Sequence, residues 1–84
     1  MTTFKVIRQY WIESERGWGI RPDGYTLHLT LLDRKQFVAA YWARMPDEVP
    51  DEYSRPDGPS ETIDVDEATY IEVKNSISGI WRIR

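Results

Sequence analysis

The stretch RPDGYTLHLT (Arg21–Thr30) decides how the chain is read, because its first four residues recur as Arg55-Pro56-Asp57-Gly58. Each copy has the chemistry of a turn: proline presets φ at the first central position and glycine tolerates positive φ. Each leads into a short alternating run, Thr26 to Thr30 in one case and Thr62 to Val65 in the other, and then into a segment with helical spacing. A strand–helix duplication and two independent turns both fit this pattern. The segments share little beyond the turn and a Thr-Leu/Ile opening, so independent turns are the reading adopted.

Upstream, Thr3 to Glu13 alternates, with Phe4, Val6, Tyr10 and Ile12 on one face and Lys5, Ile7, Gln9, Trp11 and Glu13 on the other. That period predicts a strand. Glu13–Gly24 reads as a loop, and Tyr25–Thr30 as a second strand paired antiparallel with the first, with Leu27 and Leu29 inward. Thr30 and Asp33 mark a helix start. Leu31, Val38, Tyr41, Trp42 and Met45 then recur at helical spacing, Phe37 widens the stripe, and Pro46 stops the helix.

Residues 46–61 form a long acidic connection with four prolines, the kind of loop that is functional or disordered. Thr62–Val65 predicts a third strand. Asp66 can cap a second helix over Glu67–Ser76, with Tyr70, Val73 and Ile77 on one stripe, although residues 69–73 are rich in strand formers. Gly79 ends it, and Ile80–Arg84 closes as a last strand. The expected fold is one small α+β domain over residues 1–84. Its mostly antiparallel sheet of about four strands runs β-β-α-β-α-β, with both helices on one face.

Eighty-four residues support a thin core, and with no cysteine there is no disulfide or zinc-thiolate site to reinforce it. Four Trp, five Tyr and two Phe take that role. Association is a further route to stability, so a homo-oligomer is expected. No apolar run approaches the ~20 residues of a membrane span, and the start lacks a signal-peptide layout, so a cytoplasmic protein is expected.

Charge is uneven. Residues 46–67 hold nine of the 14 acids against Arg55 alone, and the rest of the chain holds ten bases against five acids. Eight of the 11 bases are arginine, which favours planar, forked recognition of anions. No basic stripe exceeds the surrounding acid, so duplex nucleic acid is not an expected partner.

Enzyme chemistry finds little footing. His28 is the single imidazole and lies on a strand between two leucines, no G-x-S-x-G elbow is present, and the acid pairs sit where solvation or capping explains them. EF-hand, P-loop and dinucleotide spacings are absent, so no catalytic residue, metal or cofactor is expected. Binding is better supported. With both helices on one sheet face, the other would expose Trp11, His28, Arg82 and Arg84, a platform of stacking rings and guanidinium groups, or a face that a dimer buries. Arg16, Trp18 and Arg21, joined by Tyr53 and Arg55 of the acidic loop, would form an aromatic and guanidinium cage for a nucleotide-like anion. Alternatively Asp47, Glu48, Asp51 and Glu52 would present charge to a basic protein target, as an inhibitor does.

In general character, short and cysteine-free with many Trp and Tyr around a proline-rich acidic loop, the chain resembles small accessory proteins of phages and mobile elements. That resemblance implies sequestering a signal or blocking a host protein, an anti-defence role. The reading adopted is a non-enzymatic binding protein that holds a small nucleotide-like anion; the alternative is a protein-blocking inhibitor.

Overall fold

A computed structural model describes residues 2–15, 19–45, 53–56 and 58–82, with backbone alone for 14, 15, 19–23, 53 and 54. The elements are β1 (Phe4–Glu15), β2 (Gly19–His28), α1 (Leu31–Ala43), β3 (Tyr53–Arg55), β4 (Ser60–Val65), α2 (Glu67–Asn75) and β5 (Ile80–Arg82). The chain is α+β, in the expected order β-β-α-β-α-β, with one added strand: β3 lies within the stretch expected to be a loop. All strand pairs are antiparallel. β1 is central. It pairs along its length with β2, while its other edge is shared by β4 (opposite Phe4–Gln9) and β3 (opposite Ile12–Ser14). β5 adds to β2 at Tyr25–Leu27.

Only the second RPDG copy falls between elements. The first lies inside β2, where the register steps from Tyr10↔Tyr25 to Ile12↔Pro22 and Gly24 takes φ 103°. Two residues of β2 there, Asp23 and Gly24, oppose Trp11 alone of β1, a bulge that uses a glycine in the positive-φ region. The second lies between β3 and β4. Pairing stops at Ile12↔Arg55, resumes at Gln9↔Ser60, and is bridged by the Tyr10 N–H donating to the Pro59 carbonyl at 3.0 Å. The two copies therefore interrupt the ladders on both edges of the same β1 segment, Tyr10–Ile12. The strands also run further than expected, since ladder pairing continues to Glu15 and Gly19 once the bulge has absorbed the Pro and Gly.

Gln9 pins the connection between β3 and β4. Its side chain is buried; Nε2 donates to the carbonyls of Tyr10 (2.8 Å), Gly58 (2.8 Å) and Pro56 (3.3 Å), and Oε1 accepts from Arg34 Nε of α1 at 2.6 Å. A Cβ at Gly58 would stand 2.6 Å from that of Tyr10, so only glycine permits this approach.

The helices do not share a face; this corrects the one-sided expectation. Phe4 stacks on Tyr70 of α2 (centroids 4.6 Å apart), and Val6, Leu27 and Val73 form a core joined by Leu29, Ile63, Val65 and Ile80. On the opposite face Phe37 and Tyr41 of α1 meet Trp11 edge-on. The reason lies in the connections. α1 carries the chain from β2 across β1 to the far edge, and α2 carries it back to β5, each over its own face.

Both expected caps are present. Thr30 Oγ1 accepts from Asp33 N–H (3.1 Å) and the Asp66 carboxylate from Thr69 N–H (2.9 Å), and residues 69–73 are helical. The apolar stripes are narrower than the spacing predicts. Leu31 and Trp42 are exposed, Phe37 is the buried residue of α1, and Ile77 lies beyond α2 in a turn with 94% of its surface exposed.

Candidate functional site

The face expected to be open is closed. α1 covers it, and Trp11 and His28 are both 0% exposed. They belong to one buried chain of hydrogen bonds. The Ser78 carbonyl can only accept, so His28 Nδ1 carries the proton and donates to it at 2.6 Å. Nε2 is then the acceptor for the Thr26 hydroxyl at 2.7 Å, and that hydroxyl accepts from Trp11 Nε1–H at 2.8 Å. Every member is satisfied, as buried polar groups must be. Gly79 completes the arrangement, since a Cβ there would stand 2.4 Å from His28 Nδ1. Trp11 and His28 are thus core groups and not a ligand platform.

Burial holds the His28 pKa below its ordinary 6.5, with nearby Arg34 adding to the effect; the hydrogen bond to Ser78 and the charge of Asp33 oppose it. Above about pH 6.5 the ring is neutral in folded and unfolded chains alike, and there is no pH effect. As pH falls below that value the unfolded chain takes up a proton that the fold excludes, so stability declines until the folded pKa is passed. The melting temperature of the wild type should therefore drop between pH 7 and 5. In His28→Gln the drop over that interval should shrink, which differential scanning calorimetry at both pH values would test. Asp66, held below its ordinary 3.8 by hydrogen bonds from the Thr69 hydroxyl and N–H, acts only at more acid pH.

The α2 face of the sheet outlasts its helix. Along β1 this face reads Phe4, Val6, Arg8, Tyr10, and α2 covers the first two. Beyond them Arg8 lies over two rings, its Cζ 4.8 Å from the Tyr10 centroid and 5.7 Å from that of Tyr25. Those tyrosines are direct cross-strand partners and meet edge-on at 6.1 Å. Arg82 of β5 stands opposite Tyr25 in the same row. Each guanidinium has one carboxylate: Arg8 bonds Glu61 of β4 through Nε (3.1 Å) and Nη2, and Arg82 bonds Glu72 of α2 at 2.7 Å. The bond to Glu61 raises the Arg8 pKa further, so this group stays charged. Two flat rings and two forked donors on a rigid sheet can stack against a planar group and hold an anion.

Of the residues singled out from sequence, Arg82 belongs to this platform, though on the face opposite Trp11; Thr26↔Trp81 pairing puts Trp81 on the α1 side instead. Arg84 lies outside the described residues, as do Arg16, Trp18, Asp47, Glu48, Asp51 and Glu52. Arg21 pairs with Glu13, Tyr53 with Ser14 and Arg55 with Ile12, which brings three positions of the expected cage to one end of the sheet. Arg8, Tyr10, Tyr25, Glu61 and Glu72 were not expected. Their signal was the arginine that interrupts an apolar strand face between Val6 and Tyr10.

The chain matches no known protein family, no curated protein and no solved structure.

Proposed function

We propose that the protein is a non-enzymatic binding protein that sequesters a small nucleotide-like anion on the platform of Arg8, Tyr10, Tyr25 and Arg82. The observation that carries this reading is the Arg8 guanidinium lying over both tyrosine rings, with Arg82 in the adjoining cross-strand row. Guanidinium forks suit phosphate oxygens, and the rings offer π-faces that any base can use. The ligand competes with Glu61 and Glu72 for the two arginines; both carboxylates are solvent-facing and can rotate away.

Isothermal titration with adenosine monophosphate tests the reading. Wild type should bind, and Arg8→Ala should weaken binding roughly 10- to 100-fold, the worth of a charge-assisted hydrogen bond. Melting should fall only modestly, because a partly exposed ion pair contributes about 0–1 kcal/mol and a cation–π contact near the surface about 0.5–1 kcal/mol. Equal affinity in the two proteins would place the binding groups elsewhere, and absence of binding to both would remove the proposal.

A further inference from the structure

We infer that the platform, given the binding reading above, selects nucleotides of low charge, a phosphate monoester or diester, and discriminates against di- and triphosphates. The basis is the pairing of its two cations with two anions. Arg8 is matched by Glu61 and Arg82 by Glu72. In both pairs the carboxylate is the more exposed partner: 47% against 26% in the first and 55% against 37% in the second. An incoming anion therefore meets a rim of negative charge before it reaches a guanidinium. A further ion pair on the sheet, Lys5–Asp64, sits on the α1 face and is itself neutral. A site built for polyphosphate carries surplus cations or a metal; among Arg8, Arg82, Glu61 and Glu72 the surplus is zero.

A ligand with one phosphate displaces one or both glutamates and restores neutrality, since a monoester carries about −1.5 to −2 charges at pH 7 and a diester a single one. Each further phosphate adds negative charge that Arg8 and Arg82, already matched by two carboxylates, do not offset. The glutamates lie within contact distance of the arginines, well inside a Debye length of about 8 Å at physiological ionic strength, so salt screens little of this repulsion. Glu61 and Glu72 are thus specificity-determining groups and need not touch the bound ligand.

The test compares AMP with ATP, both with EDTA present, on three proteins: wild type, the double variant Glu61→Gln/Glu72→Gln, and Asp64→Asn. The last loses a carboxylate from the same strand as Glu61, but from the opposite face. Wild type should bind AMP more tightly than ATP. The double variant should move the AMP-to-ATP affinity ratio about tenfold or more toward ATP, as expected when charges are removed at this range. Asp64→Asn should leave the ratio where it is. Tighter binding of ATP by wild type, or an unchanged ratio in the double variant, overturns the selectivity while leaving the binding reading intact. If neither nucleotide binds any of the three proteins, the binding reading fails and the selectivity with it. The three substitutions lie at exposed positions, and the wild-type ratio alone tests the inference should a variant fold poorly.

Discussion

Trp11→Ala should leave much of the chain unfolded at 25 °C. Trp11 is wholly buried and joins every layer of the α1 face, with its ring centroid 4.8 Å from Tyr41, 4.7 Å from Trp81 and 6.3 Å from Phe37. Truncating a buried tryptophan costs about 3–5 kcal/mol through lost transfer energy and the cavity left behind. A domain of this length has about 4–13 kcal/mol of stability in total. The change also removes the donor to Thr26, and it does so at the β1 segment where the ladders on both edges are interrupted. Urea unfolding followed by far-ultraviolet circular dichroism should show a lowered midpoint or no folded baseline. A midpoint within about 1 kcal/mol of wild type would mean that α1 does not close this face.

Thr26→Val should be nearly as damaging despite preserving shape. Valine keeps the volume but neither accepts from Trp11 nor donates to His28, and both of those residues are fully buried. Each polar group stranded out of water costs about 1–3 kcal/mol, so the pair should cost about 2–6 kcal/mol. Thr26→Ser, which keeps the hydroxyl and loses one methyl, should cost only about 1 kcal/mol. Equilibrium urea unfolding of both variants separates the explanations. If the valine and serine variants are equally stable, the hydrogen-bond chain contributes nothing and Thr26 acts by packing alone.

What could be read from the sequence was local. Thr30–Asp33 and Asp66–Thr69 mark helix starts through the side chain's own hydrogen bond, and both caps form as expected. Alternation along Phe4–Glu13 identified the central strand. What could not be read was set by the third dimension. A period of two assigns residues to two faces but does not say which face a helix will cover, and β1 has aromatic residues on both. The same ambiguity reversed the phase of β5, where Arg82 instead of Trp81 shares a face with Tyr25. Proline and glycine in RPDG signal a departure from regular backbone. Whether that departure is a turn or a bulge depends on a neighbouring strand, here β1, whose partners lie as far along the chain as Val65 opposite Phe4. The platform was missed for a related reason: alternation does not say that Arg8, between Val6 and Tyr10, will lie across the rings of two cross-strand tyrosines.

The central claim is that Arg8, Tyr10, Tyr25 and Arg82 form one ligand surface, and two-dimensional 1H–15N NMR with added AMP tests it most directly. Saturable shifts should appear at the Arg8 Nε–H and at the backbone amides of Tyr10, Tyr25 and Arg82, while amides of the α1 face near Thr26 and His28 stay in place. Shifts confined to the far end of the hairpin, or no saturable shifts at all, would contradict it.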